Sequence, residues 1–203
     1  VCGSPGCGWG ERIEDCWFDS YLPDVNLRNP DAWAQQSQDL LYWLTRFDLD
    51  GMRLDAVPMM PRGFTRSVVR SVTDLALRRG QDLLLIGEDY TGPGDGGRLE
   101  IRSFLGDQFD GLHSAFDFPL FWVTVDALAK DRVPMTTLEK QIALSEQVYG
   151  GSSAVMGHIL NNHDTARFIS EAAGNAGNNP WTAAPPQPTE AEPYLRHMLA
   201  LTL

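Results

Sequence analysis

Apolar positions along the chain recur at two spacings, one helical and one typical of buried strands, and the two alternate. Asn29-Pro30 is a capping residue followed by a proline that suits the first helical position, and it precedes a predicted amphipathic helix over residues 31–46. The apolar face of that helix consists of Trp33, Leu40, Leu44 and Phe47. The run 51–57 that follows predicts a strand, which Pro58 ends.

The same alternation continues to the end of the chain. A second helix, closed by Gly80, has an apolar face made of Phe64, Val68, Val72 and Leu75. Residues 92–97 are rich in glycine and predict a loop. Further strands are predicted at 83–86, 112–116 and 155–160, and further helices at 121–129, from the capping box Thr136-x-x-Glu139 through Val148, and from Tyr194 onwards.

Short apolar strands that alternate with helices predict an α/β fold with a parallel sheet and crossover helices. Two architectures fit this pattern, the (β/α)8 TIM barrel and the doubly wound sheet. No glycine-rich dinucleotide fingerprint follows any strand, and polar residues stand at the carboxyl ends of the strands, where barrel enzymes carry their chemistry. We therefore expect an incomplete (β/α)8 barrel, about half of one, over residues 30–203, preceded by a loop segment at 1–29.

Three cysteines, Cys2, Cys7 and Cys16, lie in that first segment and none follows. Their spacing fits no zinc pattern well, which leaves a local disulfide or free thiols as the two interpretations. An odd number leaves one cysteine without an internal partner.

The net charge of −11 and the absence of a basic stretch argue against nucleic acid and anionic membranes as partners, and a neutral ligand suits the charge better. No apolar run in the sequence is long enough to cross a bilayer. The chain starts without a methionine and stops inside an apolar helical pattern, so we read it as a piece of a longer protein.

Carboxylates follow three of the predicted strands: Asp55, Glu88 and Asp164. Each could be a helix cap or a loop acid. Three such acids at the ends of parallel strands are instead expected to meet at one mouth, where their repulsion is easier to understand if they perform catalysis.

Arg53 stands two residues before Asp55, so both side chains point to the same face of the strand. A guanidinium keeps a neighbouring carboxylate ionised, as a nucleophile requires, although a structural ion pair would look the same in sequence. Glu88 has no cation nearby in sequence and follows an apolar strand, so its pKa is expected to rise, which suits a general acid. His163, beside Asp164, is a candidate hydrogen-bond donor to a ligand.

Two carboxylates with opposed protonation needs are the pattern of glycoside hydrolysis, and a third would stabilise a positively charged transition state. Some aromatic residues are candidate platforms for sugar stacking, and most are expected to serve packing. The candidates are Trp17, Phe18, Tyr21, Tyr90, Trp122 and Trp181.

These motifs together resemble the α-amylase family of glycoside hydrolases and transglycosylases. GMRLDAV, LLLIGED and ILNNHD are similar to the second, third and fourth motifs of the family, in that order. LPDVN at 22–26 and DGLHSAFDFPL at 110–120 are similar to two further segments, so that the resemblance covers nearly the whole chain.

The resemblance implies roles for the three acids. Asp55 would be the nucleophile that forms a covalent glycosyl-enzyme, Glu88 the acid/base, and Asp164 the residue that stabilises the transition state. The bond attacked would be α-glucosidic, with retention of configuration, which predicts that the carboxyls of Asp55 and Glu88 lie about 5–5.5 Å apart.

The neighbouring motif residues would bind or orient. Arg53 would orient Asp55, His163 would hydrogen-bond the sugar in the first subsite, and Asn162 of the same motif is a further candidate for substrate binding.

The sequence also departs from the pattern of the family. The first motif of the family is absent, which implies that this chain holds the fourth to seventh strand-helix units and that the end of an inserted subdomain occupies residues 1–29. In isolation such a part would lack a sugar-binding histidine and expose unpaired sheet edges, so we expect it to be inactive.

No cofactor is expected in the chemistry, and a structural calcium is a further expectation. Asp24 matches a calcium position of some members, whereas Met59 stands where many α-amylases have a histidine whose backbone helps to bind calcium.

Three functions are compatible with these motifs. The first is a retaining hydrolase of starch-like glucans or malto-oligosaccharides, of the α-amylase or α-glucosidase type. The second is a glucosyl transferase or isomerase, because Val57-Pro58 is similar to trehalose synthases. The third is a non-catalytic member, which the presence of all three acids disfavours. The sequence favours a secreted or periplasmic location over a cytoplasmic one and leaves the oligomeric state open.

Overall fold

The computed structural model describes residues 1–10, 12–106, 110–177 and 184–202. The chain divides into two compact units. The first unit comprises Val1–Asp89, Phe104–Ala115 and Ser152–Val155, and the second comprises Tyr90–Ser103, Phe116–Gly151 and Met156–Leu203.

Helices and strands alternate along the first half of the chain. Over the described residues the helices are Pro30–Arg46 (α1), Arg62–Arg79 (α2), Asp95–Leu105 (α3), Phe118–Thr124 (α4), Met135–Tyr149 (α5), Phe168–Ala172 (α6) and Ala191–Ala200 (α7). The strands are Gly51–Leu54 (β1), Leu84–Gly87 (β2) and Ser114–Ala115 (β3), with a 3-10 turn at Val57–Met59 and a π-helical turn at Val125–Ala129.

A parallel sheet in the order β1-β2-β3 lies at the centre of the first unit. Helices α1 and α2 form where the sequence predicts them: the Asn29 side chain accepts a hydrogen bond from the Asp31 amide at 2.9 Å, and Gly80 closes α2 with a left-handed φ of 64°. Leu85 is fully buried, as a central strand requires. The sheet therefore has the predicted parallel topology.

The second unit has an apolar core of its own, built around two fully buried rings, Phe118 and Phe168. Helix α4 begins where Asp117 accepts a hydrogen bond from the Leu120 amide at 3.0 Å. The chain continues helically through the π-helical turn, so the helix predicted at 121–129 is present and starts three residues earlier.

Two predicted strands are much shorter in the structure. The third, predicted at 112–116, has only two residues, and the fourth, predicted at 155–160, is reduced to a parallel bridge between Phe116 and Gly157. The first strand ends at Leu54 because Ala56 adopts a left-handed φ of 43°, which an extended strand cannot accommodate. Apolar runs thus marked the correct places but not the lengths of hydrogen-bonded pairing.

Helix predictions also needed corrections. Residues 95–97 of the predicted glycine-rich loop form the start of α3, and the short helix α6 was not predicted. The predicted capping box of α5 is wrong: Pro134 occupies the cap position without a side-chain bond, although the helix itself is present.

Cys7 and Cys16 form a disulfide, which confirms the interpretation of a local bridge, and Cys2 is a buried free thiol. The Cys2 thiol donates a hydrogen bond to the carbonyl of Cys16 at 3.4 Å. Among the described residues, no helix has the length and apolar character needed to span a membrane.

Candidate active site

Strands β1 and β2 end side by side, and both lead into acidic residues. Their register pairs Leu54 with Gly87, so Asp55 and Glu88 are the next residues on neighbouring parallel strands. The amide of Glu88 donates to the Leu54 carbonyl at 2.9 Å, which extends the pairing to the point where both carboxyls leave the sheet. The sheet therefore brings these two acids together, as predicted.

Arg53 bridges the two carboxyls. One guanidinium nitrogen, Nη1, lies 2.7 Å from Oδ1 of Asp55, and the other, Nη2, lies 2.7 Å from Oε1 of Glu88. The sequence predicted a cation for Asp55 alone, because no basic residue is near Glu88 in the chain. The second ion pair arises from strand pairing: Arg53 is the register partner of Ile86, two residues before Glu88.

The two acids have different surroundings. The Glu88 side chain is 7% exposed, whereas that of Asp55 is 71% exposed. The pKa of Glu88 is raised above its ordinary value. Burial is the largest cause and a hydrogen bond with Asp55 is the second, while the charge of Arg53 lowers the pKa only in part. Glu88 thus keeps a proton to higher pH than an ordinary glutamate, which confirms the direction predicted for it and suits a general acid.

The same guanidinium holds both acids, because each of its two terminal nitrogens pairs with one oxygen of one carboxyl. The separation of about 5–5.5 Å between the carboxyls of a retaining pair stays a prediction.

Sequence reasoning missed two features that shape this cluster. The backbone amide of Ala56 donates to Oε2 of Glu88 at 3.4 Å, and no sequence pattern reports a backbone donor of this kind. Gly87 lies where an added Cβ would collide with the side chains of Leu112 and Val57. A glycine directly before an acid at a strand end was a visible sign that the backbone is closely packed there.

Asp164 lies in the second unit, within a turn that its neighbours hold together. The Asn162 side-chain oxygen accepts from the Asp164 amide at 3.0 Å, and the Asn162 amide donates to the Thr165 hydroxyl at 2.9 Å. His163 Nε2 lies 3.2 Å from Oδ2 of Asp164, and both side chains are exposed. The structure brings these three motif residues together; that Asp164 converges with Asp55 and Glu88 stays a prediction.

Asp24, the predicted calcium ligand, is half-buried in the segment before α1. Burial is the largest of the effects that raise its pKa, and the nearby charge of Asp15 adds to it. Over the part of the chain that the structure describes, no group of three or more His, Cys, Asp or Glu side chains is arranged to hold a metal ion. A structural calcium that involves Asp24 stays a prediction.

The candidate stacking residues have different environments. Trp17, Phe18 and Tyr21 are exposed in the segment before α1, and Tyr90 and Trp122 belong to the second unit. Trp181 lies outside the described residues.

Comparison with known proteins links the chain to one family. The sequence pattern of the family described as "Alpha amylase, catalytic domain" matches residues 15–183, which include all three candidate acids. A "Beta/alpha-amylase" from Paenibacillus polymyxa is 26% identical over 159 residues, and a "Cyclomaltodextrinase" from a Bacillus species is 27% identical over 163 residues. The chain spans only 12% and 26% of the lengths of these two curated relatives.

Solved structures agree with the sequence comparison. The α-amylase from Geobacillus thermoleovorans, solved as a complex with acarbose, superposes with a TM-score of 0.70 at 26% identity. The match covers 84% of this chain and 36% of that one. It confirms the predicted fold, an incomplete (β/α)8 barrel, with Arg53, Asp55 and Glu88 at the carboxyl ends of its parallel strands.

Proposed function

Because this chain belongs to the α-amylase family, with its catalytic-domain pattern matched over residues 15–183, we propose that the protein cleaves α-glucosidic bonds with retention of configuration. The observation that carries the proposal is the guanidinium of Arg53 between an exposed and a buried carboxyl. Such a pair supplies a nucleophile and a proton donor at adjacent positions.

In the first step, a carboxylate oxygen of Asp55 attacks the anomeric carbon of the glucosyl unit. The bond from that carbon to the leaving oxygen breaks, and Glu88 donates its proton to this oxygen. The raised pKa of Glu88 keeps that proton available at higher pH than in an ordinary glutamate. The product of this step is a glucosyl ester of Asp55.

In the second step, Glu88, now ionised, accepts a proton from water, and the water oxygen attacks the anomeric carbon. The ester bond to Asp55 breaks, and the sugar leaves with its original configuration after two inversions. Arg53 stabilises both carboxylates when they carry charge and holds Asp55 in position for attack. No cofactor takes part in either step.

Asp164, His163 and Asn162 have proposed roles in binding. Asp164 would accept hydrogen bonds from sugar hydroxyls and stabilise the positive charge of the transition state, and His163 would donate to the sugar. The turn that fixes them supports this role, because its side-chain bonds hold the carboxylate and the ring in a defined arrangement.

The substrate is proposed to be an α-glucan or malto-oligosaccharide. The names of the relatives support this, since they include cyclomaltodextrinases and maltogenic amylases. A glucosyl transferase is the second candidate, because the same two steps transfer the sugar to a hydroxyl instead of water, and one similar structure is named as a cyclomaltodextrin glucanotransferase.

Asp55→Asn in the complete protein tests the proposal. Hydrolysis of maltotriose should fall by at least about a thousandfold, because no other group replaces the nucleophile. Proton NMR of the first product should show the α-anomer in the wild type. Unchanged turnover in the variant, or a β-anomer from the wild type, would contradict the proposal. Products longer than the substrate would favour the transferase.

A further inference from the structure

Ala56, directly after Asp55, has a backbone conformation that is unusual for its residue type. Its φ of 43° and ψ of 51° lie in the left-handed region, where a Cβ crowds the backbone. Among the described residues, Asp48 and Asp131 also combine a side chain with a positive φ, but aspartate tolerates this region through its short polar side chain. Alanine has no such group, so the surrounding structure imposes the conformation of Ala56.

The left-handed residue shifts the pairing of β1 with β2 by one position. Leu54 is the register partner of Gly87, and its carbonyl accepts from the Glu88 amide at 2.9 Å. In an undisturbed parallel ladder, the Glu88 carbonyl would next accept from the amide two residues after Leu54, which is that of Ala56. It accepts instead from the Val57 amide, at 2.9 Å. Ala56 is therefore the extra residue of a β-bulge, and its amide is released from the ladder.

The released amide contacts the side chain of Glu88. It donates to Oε2 at 3.4 Å, while Oε1 lies 2.7 Å from Nη2 of Arg53. Each oxygen of this carboxyl therefore has a donor of its own, and donors at both oxygens fix the plane of the carboxyl as well as its position. Because the Glu88 side chain is almost fully buried, these protein donors replace water around its charged form.

Contacts on both sides hold the bulge in place. Val57, whose amide bonds to the Glu88 carbonyl, is fully buried. The carbonyl of Ala56 accepts from the Met59 amide at 2.9 Å, within the 3-10 turn that follows β1. A strained residue that is held in this way next to reactive groups is typical of functional sites, where the strain positions a group for its task.

We infer that Ala56 is a positioning residue, whose left-handed bulge directs its backbone amide at Glu88 and so sets the orientation of the acid/base. This inference rests on the proposed function, in which Glu88 donates a proton in the first step and accepts one in the second. Negative charge develops on the carboxyl as its proton leaves, so a donor held at Oε2 stabilises the ionised form more than the protonated form. Loss of this donor should therefore lower kcat more than it raises KM.

The same contact acts on the protonation of Glu88. Burial is the largest influence on the pKa of Glu88 and raises it, as Asp55 also does through its hydrogen bond and its charge. The charge of Arg53 and the amide of Ala56 lower that pKa. Loss of the amide contact should therefore raise the pKa of Glu88 and move the alkaline limb of kcat/KM to higher pH.

The test varies residue 56 in the complete protein, with maltotriose as substrate. Ala56→Val adds a β-branched side chain, which strongly disfavours the left-handed region. Ala56→Asn adds a side chain of comparable size that tolerates this region, and Ala56→Gly removes the Cβ that causes the strain. Asp48→Val is the matched control, because Asp48 has a left-handed φ of 50° outside the cluster.

We expect kcat to fall about 10–100-fold in Ala56→Val, with KM within about threefold of the wild type and the alkaline limb at higher pH. Ala56→Asn and Ala56→Gly should recover the position of the limb and bring kcat to within about threefold of the wild type. Asp48→Val should lose stability and keep the wild-type pH profile. An alkaline limb that stays in place in Ala56→Val, or an equal loss of kcat in Ala56→Gly, would overturn the inference.

A backbone substitution tests the amide itself and does not depend on whether Ala56→Val folds. Lactic acid in place of Ala56, introduced by suppression of a stop codon, keeps the Cβ and replaces the N–H by an oxygen atom. We expect kcat to fall about tenfold and the alkaline limb to move to higher pH, as in Ala56→Val. Kinetics identical to those of the wild type would show that the amide does not act on Glu88.

The titration of Glu88 followed by NMR separates this inference from the proposed function. Glutamate labelled with ¹³C at the side-chain carboxyl, with the Glu88 signal assigned through Glu88→Gln, reports the protonation of this group without turnover. If the wild type does not cleave maltotriose, the proposed function fails, and a higher titration midpoint in Ala56→Val than in Ala56→Gly still supports the amide contact. If the wild type cleaves maltotriose and the midpoint is the same in all variants, only the positioning role fails.

Discussion

Two polar segments of this molecule carry the candidate chemistry, and different forces hold them. The cluster of Arg53, Asp55 and Glu88 is assembled by strand pairing between residues more than thirty positions apart in sequence. The turn at 162–165 is assembled by hydrogen bonds between residues two or three positions apart.

The difference shows what each segment can do. In the cluster, a buried acid shares a cation with an exposed one, and the hydrogen bond with Asp55 adds to the burial that raises the pKa of Glu88. In the turn, Asp164 and His163 are exposed and positioned, as groups that contact a ligand should be. We conclude that the cluster is suited to proton and bond transfer and the turn to binding.

Replacement of Glu88 by glutamine gives the largest effect expected in this comparison. Cleavage of maltotriose should fall about 10²–10⁴-fold, because the leaving oxygen loses its proton donor. A glucosyl substrate with a nitrophenolate leaving group, which departs without a proton, should lose much less in the first step. Equal losses for both substrates would show that Glu88 is not the acid.

Arg53→Gln should lower kcat/KM by about 10–100-fold and change its pH dependence. The guanidinium lowers the pKa of Glu88, so its removal should raise that pKa further and move the alkaline limb of the profile to higher pH. Arg79→Gln is the control, since Arg79 pairs with Asp48 away from the cluster. An alkaline limb that stays in place in Arg53→Gln would contradict the bridging role.

In the turn, Thr165→Val should cost about 1 kcal/mol of unfolding free energy, because the Asn162 amide loses its acceptor. The loss in kcat/KM should be below about tenfold, since the groups proposed to bind sugar all remain. Thr165→Ser keeps the hydroxyl and should resemble the wild type. Urea denaturation and steady-state kinetics check both values, and a Thr165→Ser variant as unstable as Thr165→Val would refute this role of the hydroxyl.

The smallest effects concern the pH dependence of stability. The pKa of Glu88 is raised by folding, so its stabilising contribution is present at low pH and is lost as pH rises above about 4.5 through the folded value. Glu88→Gln should therefore remove a fall in unfolding free energy that begins as pH rises above about 4.5. Urea melts at a series of pH values measure this slope, and an unchanged slope would contradict the prediction.

His113, in the same unit, has the opposite effect on the pH dependence of stability. Burial lowers the pKa of its ring, and Nδ1 accepts a hydrogen bond from the Leu85 amide at 3.2 Å, which requires that this nitrogen be unprotonated. As pH falls below about 6.5, the unfolded chain gains a proton that the folded chain resists, and stability is lost. His113→Gln should weaken this acid destabilisation in the same melts.

The sequence predicted the parts of the fold that depend on local order. Helix α1 follows from the Asn29 cap and its apolar face, and α2 ends at the glycine that the pattern identified. Strand lengths were not predictable from apolar runs, because pairing depends on a neighbouring strand. Residues 155–160 resemble a strand in sequence, but within the described part of the chain they are reduced to a bridge between Gly157 and Phe116.

In the candidate site, too, features that depend on local sequence were predicted and features that depend on pairing between strands were not. The acids and Arg53 were identified from residue type and position, since carboxylates at strand ends are unusual and Arg53 shares a strand face with Asp55. The second ion pair of Arg53 and the Ala56 amide bond to Glu88 were not predictable, because both depend on register between strands.

The central claim is that Asp55 attacks the anomeric carbon while Glu88 supplies the proton. The most direct measurement is to trap the ester with 5-fluoro-α-glucosyl fluoride in the complete protein and to locate the label by peptide mass spectrometry. We predict a fluoroglucosyl group on the peptide that contains Asp55, and none in Asp55→Asn. A label on any other carboxylate, or an equal label in the variant, would contradict the account.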